Sequence, residues 1–359
     1  MTMKKYNMSL QEPETVDMGE VEGPIIEARN VSVTFDMERG ESKVLDNVDL
    51  AIERGEVLGL VGESGSGKSM FASSLLDAVV EPGILTGDIT YYPEPDEPVD
   101  LLNLSKRELR KTRWEEISMV FQGAMSSFNP TITIKAHFEE TLDAHNENYE
   151  EGMDRAYELL SDLYLEPERV LNSYPHELSG GMKQRALIAL GMVLEPKLMV
   201  MDEPTAALDL LMQRSILKML REVKEKYNIT LLFITHDLPL VASLSDRMIV
   251  MYAFEFVERG TKQEILGEAR HPYTRALLNA TPNLGLEPED MNPIEGSAPD
   301  PVNVPSGCSY HPRCPLADEG CRTDNPGFHE VTDTHDVACF HWEDAPDAVE
   351  YTLPEDDIE

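Results

Sequence analysis

An α/β fold, a parallel sheet carrying a phosphate-binding loop, is predicted for this chain by three apolar runs of strand length that each end in a polar cluster. They are "EVLGLVG" at 56–62, "KLMVMDEP" at 197–204 and "ITLLFIT" at 229–235. The first run passes into "GESGSGKS" (62–69), which fits G-x-x-x-x-G-K-[ST]. Residues from Lys68 to Val80 then read as helical, so the motif has the strand, loop and helix context that its chemistry needs. The second run delivers Asp202 and Glu203 at its C-terminal end, the edge at which open α/β sheets place ligand chemistry.

In the loop, Gly62, Gly65 and Gly67 let the backbone curl so that its N–H groups and the following helix N-terminus surround β- and γ-phosphates. Glu63, Ser64 and Ser66 complete the cradle, Lys68 supplies a point charge, and the Ser69 hydroxyl is a Mg²⁺ ligand. Asp202 would hold the same ion through water and Glu203 would polarise the attacking water as general base. The third run ends at His236, placed to contact the γ-phosphate and orient that water. A second anion site stands in "LSGGMKQR" (178–185), where Ser179, Gly180 and Gly181 open a helical run. One molecule with its own phosphate loop has no need of a second, so ATP is expected between two subunits.

Composition narrows the class. Thirty basic against 67 acidic residues give a net charge of −37, spread along the whole chain. Such self-repulsion opposes compaction in dilute buffer, but at molar salt the Debye length falls to roughly 3 Å. With only 13 lysines, the chain reads as a cytosolic protein of a salt-accumulating halophile. No nucleic-acid affinity is expected of so acidic a surface. No stretch reaches the eighteen apolar residues of a spanning helix, and the start "MTMKKYNMSLQEPETVDMGEVEG" has no apolar run behind its lysines, so residues 1–24 read as a disordered tail of a cytoplasmic protein.

Taken together, these motifs resemble the ATPase subunit of an ABC transporter, in the family's order: Walker A at 62–69, the Q-loop Gln122 in "ISMVFQ", the signature at 178–182, Walker B at 198–202, then Glu203, the D-loop "AALD" ending at Asp209, and the H-loop His236. The resemblance covers roughly 25–340. It implies a RecA-like P-loop NTPase domain at about 25–260, with a helical subdomain at about 123–185 inserted between Gln122 and the signature helix. By the same resemblance Phe35, in "NVSVTF", falls where adenine is stacked, Gln122 senses the γ-phosphate and Mg²⁺, "GAMSSFNP" faces a membrane partner, and two subunits close head to tail. Phe35 reads equally as a core aromatic.

"HPYTRALLNATP" (271–282), "FQGAMSSFNP" (121–130) and the late cysteine segment are similar to the dipeptide and oligopeptide importer branch. For that branch the resemblance implies a second, different ABC ATPase as partner, two membrane-spanning permease subunits, an external solute-binding protein and a place on the cytoplasmic face of the membrane. This chain is like the first of the paired ATPases. Two departures stand out: Gly123-Ala124 follow Gln122 where many relatives have Asp-Pro, and Phe254 stands where Gly is usual. Other members move oligosaccharides or nickel chelates, so the solute is open. A soluble ABC ATPase acting on DNA or ribosomes is the rival class; it is opposed by the single ATPase unit and the acidic surface. A metal-binding regulator with a vestigial ATPase is opposed by intact Lys68 and Glu203.

The extension at 261–345 contains all four cysteines, Cys308, Cys314, Cys321 and Cys339, spaced C-x5-C-x6-C-x17-C without a C-x2-C knuckle. Four thiolates suit a [4Fe–4S] cluster or tetrahedral Zn²⁺. The resemblance implies the cluster, while His311, His329, His335 and His341 keep zinc open. A metal that crosslinks a small extension poor in apolar residues would supply stability its core cannot. The acidic end, 346–359, reads as a solvated tail.

Overall fold

β1 (Pro24–Met37) and β2 (Gly40–Glu53) form a long hairpin that continues through β4 (Ile84–Tyr91) and β5 (Val99–Asp100) into a four-stranded sheet of order β2-β1-β4-β5. Between β2 and β4 the chain contributes β3 (Val57–Val61) to a second, eight-stranded sheet and then α1 (Lys68–Ser74). The computed structural model describes residues 23–123, 127–206, 208–280 and 294–351. The helix predicted to Val80 stops at Ser74, because Asp77 takes a left-handed conformation (φ 46°) and its N–H turns back to the Ser74 carbonyl.

After α2 (Lys106–Glu115) and β6 (Ile117–Val120), α3 (Ile134–His145), α4 (Tyr149–Asp162), α5 (Pro167–Asn172) and α6 (Gly180–Met192) precede β7 (Leu198–Asp202). Local chemistry sets their starts: Thr133, Asn148 and Ser179 each accept a first-turn N–H, satisfying donors with no partner inside the helix. α7 (Leu210–Tyr227), β8 (Thr230–Thr235), α8 (Leu238–Leu244), β9 (Arg247–Tyr252) and β10 (Glu255–Thr261) complete the core.

β9, β3, β8, β7 and β6 run parallel in that order. Their side chains alternate between two apolar layers. Val57, Met199, Leu231 and Met248 enter the layer shared with α3–α8, whereas Leu58, Val200, Leu232 and Ile249 enter the layer under α1 and the antiparallel sheet. A sheet buried on both faces needs apolar residues at every position, which is why these strands read as continuous apolar runs. Parallelism also brings the ends of β3, β6, β7 and β8 to one edge.

The C-terminal region, after α9 (Lys262–Gly267) and α10 (Pro272–Asn279), is stitched into this sheet. It carries α11 (Glu319–Thr323), and β11 (His329–Glu330) and β12 (Asp336–Val337) extend the sheet beyond β10, with Glu258 opposite Val337 and Arg259 opposite Asp336. Where a solvated tail is read from 346, the structure docks α12 (Ala345–Ala348): Arg275 donates to the carbonyls of Val349, Pro346 and Ala269 and lies over the Tyr351 ring. Of the tail predicted at 1–24, Pro24 already belongs to β1; residues 1–22, residues 124–126 of the membrane-facing stretch, Ala207 of the D-loop, 281–282 of the late motif and 352–359 of the acidic end lie outside the described residues.

Candidate nucleotide site and cysteine loop

The phosphate loop leaves β3 at Val61 and enters α1 at Lys68. Gly62 has φ 156° and an added Cβ there would overlap the Met251 carbonyl; Gly67 has φ 111° and its Cβ would meet the Val44 carbonyl. Both close approaches admit only glycine. Lys68, buried, donates to the carbonyls of Gly62 and Glu63, each at 2.8 Å. Burial lowers its pKa, opposed by the charges of Glu203, Asp202 and Glu63.

β7 ends at Asp202, 3% exposed, whose pKa is raised by burial and pulled back by a hydrogen bond from the Ser69 hydroxyl. Asp202 Oδ1 is buried with no hydrogen-bond partner among the described residues. A hydroxyl beside a buried carboxylate with a spare acceptor is the donor set of a magnesium–phosphate site. Glu203 follows with φ 50°. Its Oε1 accepts from His236 N–H at 3.1 Å and lies 2.7 Å from His236 Nδ1, and its Oε2 accepts the Thr235 hydroxyl at 3.3 Å. The phosphate loop, Ser69, Asp202, Glu203 and His236 thus share one edge. Gln122, exposed, follows β6 along the same edge.

Five predicted residues lie apart from that group, among them Gly180, the half-buried first residue of α6. Phe35 is half-buried in β1, with its ring against Gly83 of the turn before β4. Ser179 is exposed and caps α6 through Met182 N–H. Gly181 is buried where a side chain would strike the Met212 side chain of α7. Asp209 caps α7 through Met212 N–H, beside exposed Leu210 and Leu211.

The cysteines converge. Cys308 N–H donates to the Cys321 carbonyl at 2.9 Å, and Cys339 Sγ accepts from His341 N–H at 3.3 Å. Burial first, and then the other thiols, push Cys314 to about 11 and Cys339 to about 12; burial also raises Cys308 and Cys321. His335 is no candidate ligand: it is buried and its Nε2 lies 2.8 Å from Oε1 of fully buried Glu258, whose carboxylate also accepts the N–H groups of Arg270 and His271. His341 pairs with Asp318 at 3.1 Å, and His311 Nδ1 lies 2.9 Å from the Cys308 carbonyl.

The sequence reading missed the neighbours of the phosphate loop. Phe254 takes the φ of 76° that its usual glycine would favour, and its N–H donates to the Ser66 carbonyl. The Tyr273 hydroxyl accepts the Glu63 N–H, and Arg313 pairs with the Glu63 carboxylate. The only advance signal was that Tyr273 and Arg313 lie in the two stretches already singled out.

The pattern of the family described as ABC transporter matches residues 45–206, and that of the oligopeptide/dipeptide transporter C-terminal region matches residues 257–321. The chain is 39% identical over 323 residues to the dipeptide transport ATP-binding protein DppD of Caldanaerobacter subterraneus, covering 89% of this chain and 98% of that one. It belongs to the ATP-binding subunits of the dipeptide and oligopeptide ABC importers. This importer subunit is also 39% identical to the oligopeptide transport ATP-binding protein AppD of Bacillus subtilis, over 89% of this chain and 97% of the relative. Against OppD of Escherichia coli the identity is 37%, over 93% and 98%. Among solved structures it is similar to the ATP-binding cassette MJ0796, a dimer in a post-hydrolysis state with ADP and phosphate, at a TM-score of 0.57 and 28% identity over 66% of this chain and 98% of that one. Members of this family hydrolyse ATP to power transport, and this subunit is an ATPase. No helix among the described residues is long and apolar enough to cross a membrane.

Proposed function

We propose that the subunit binds and hydrolyses ATP at the cytoplasmic face of the membrane to drive uptake of dipeptides or oligopeptides. The observation that carries this reading is the match of the oligopeptide/dipeptide C-terminal region to 257–321 in a chain whose nucleotide residues share one sheet edge. We assign Gly62 to Gly67 and Lys68 to the phosphates, Glu203 to the attacking water as general base, and His236 to orienting Glu203. Ser69, Asp202 and Gln122 are the residues for magnesium, which when bound neutralises charge developing on the phosphates. Phe35 is assigned to adenine. Exposed Ser179 and half-buried Gly180, with Asp209, are assigned to the ATP of a second, different ATPase, and helices α3–α5 form the subdomain that meets the two permeases. A solute-binding protein outside delivers the peptide.

The cysteine loop fits a metal centre: four buried or half-buried thiols, with a backbone N–H already donated to Cys339 Sγ. Tetrahedral zinc would hold four sulfurs about 3.8 Å apart, from a Zn–S distance near 2.3 Å. Among the described residues, three ligand atoms within 4.8 Å of one another come from Asp318, Cys321 and His341, not from the cysteines alone. We read the four thiols gathered in this loop as the ligands of a [4Fe–4S] cluster, Cys308, Cys314, Cys321 and Cys339, with a structural role. Zinc on the mixed set of Asp318, Cys321 and His341 is the second reading. The charge of −37 supports a halophilic host.

The test is uptake of labelled di- to pentapeptides by cells whose only copy is wild type, Lys68→Ala or Glu203→Gln. Loss of uptake in both variants supports the reading, and unchanged uptake of every peptide sinks it. Iron, labile sulfide and zinc in anaerobically purified protein decide the metal.

A further inference from the structure

The phosphate loop begins with an acid. Glu63 follows Gly62 directly, and a carboxylate there would repel the triphosphate that the loop must hold. In this structure the charge is matched from 250 residues away: Arg313 Nη1 lies 2.8 Å from Glu63 Oε2 and Arg313 Nη2 lies 3.1 Å from Glu63 Oε1. This paired contact is the fork geometry in which guanidinium binds carboxylate best. The Arg313 side chain is 6% exposed, so the pair is shielded from the screening that weakens surface ion pairs.

Arg313 is itself immobilised. Its Nε donates to the Glu295 carbonyl at 2.7 Å, and its Nη groups also reach the Ile294 carbonyl and the Tyr252 hydroxyl. Its guanidinium lies 5.8 Å from the Tyr252 ring centroid and 6.0 Å from that of Tyr310, two members of a cluster closed by Tyr273. Tyr273 accepts the Glu63 N–H at 2.9 Å, and Lys68 donates to the Glu63 carbonyl. Backbone N–H, side chain and carbonyl of one loop residue are therefore each held, the first two from the C-terminal region. The next residue after Arg313 is Cys314.

We propose that Arg313 is a positioning residue of the ATP site: the cysteine-bearing segment neutralises and fixes Glu63, and so sets the affinity of the phosphate loop for Mg-ATP. The inference rests on reading that loop as the ATP site. A glycine-rich loop has many conformations, and only those whose N–H groups converge bind phosphate; fixing its first variable residue raises the fraction that does.

The experiment measures the dissociation constant of a non-hydrolysable Mg-ATP analogue, with kcat and KM for ATP, in full-length parent, Arg313→Met, Arg313→Lys, Glu63→Gln and the double variant Arg313→Met/Glu63→Gln at high salt. Arg313→Met is to weaken binding about tenfold, the size of a charge-assisted contact, and to raise KM more than it lowers kcat. Arg313→Lys is to recover part of the loss. The double variant is to bind at least as well as Arg313→Met, because the unmatched carboxylate is gone. Arg313→Met within about twofold of parent overturns the proposal, as do losses that multiply in the double variant. If Arg313→Met does not fold, Arg313→Lys alone and with Glu63→Gln decide by the same comparison. A parent that binds no analogue overturns both this and the ATP reading; a parent that binds with variants unaffected overturns only this.

Discussion

Glu203 and His236 are joined at two points: one carboxylate oxygen, Oε1, lies 2.7 Å from the His236 ring and 3.1 Å from the His236 backbone nitrogen. Glu203 also sits at φ 50°, a conformation that non-glycine residues keep only where surroundings enforce it. Its carboxylate is therefore aimed by β8 rather than by its own loop. Glu203→Gln retains the shape and loses the base, so ATP turnover falls by about 10²- to 10⁴-fold while nucleotide binding persists. Single-turnover hydrolysis beside analogue binding checks this.

Gly62 offers a sharper test of the loop. Gly62→Ala drives a methyl into the Met251 backbone at a φ of 156°, and neither carbonyl nor loop can yield without moving β9. Mg-ATP binding is lost in that variant, whereas Gly65→Ala, with open space around its Cβ, keeps the fold and loses affinity only through its φ of 81°. Equal behaviour of the two would contradict the packing described.

Much of this was legible in the chain itself. The strands and the phosphate loop announce themselves because a sheet buried on both faces and a backbone cradle for phosphate each demand a local run of residues. The buried pair Glu258–His335 and the clasp Glu63–Arg313 did not, since each joins residues that only tertiary folding brings together and nothing local distinguishes these acids from 65 others. Helix α1 ended early for a similar reason: the turn at Asp77 is anchored by Arg113, which donates to the carbonyls of Leu76 and Asp77.

The pH response follows from His271. Wholly buried, it has its pKa lowered to about 4 by desolvation, with Glu258 opposing. The unfolded chain takes up its proton near 6.5, so the unfolded state binds more protons as pH falls. Stability is thus full above about pH 6.5 and declines by about 3 kcal/mol on the way to pH 4. His271→Asn keeps a capping acceptor for Tyr273 N–H and flattens that part of the profile, measured by urea unfolding at a series of pH values.

Glu258 is a structural pin with three donors. Glu258→Ala strands them in a dry site and lowers stability by about 3–5 kcal/mol. The shift in denaturation midpoint is to exceed that of His335→Gln, which leaves two of the three bonds in place.

Salt should act in the opposite sense to its effect on most proteins held by surface ion pairs. With −37 charges, raising KCl from 0.1 M to molar levels relieves self-repulsion and increases Tm. A Tm that falls over that range would count against the halophilic reading.

The pairing of β12 with β10 has a bearing on how the molecule is made. Among the described residues Asp336 and Val337 are the last to lie in a strand, yet they cover an edge laid down some eighty residues earlier and bring His335 to Glu258. Until then the nascent ATPase presents a raw strand edge, of the kind that recruits other chains. Completion of the sheet is deferred to the same stretch that carries the cysteines and Arg313, so a subunit truncated within it would be unfinished as a fold before it was deficient as an enzyme.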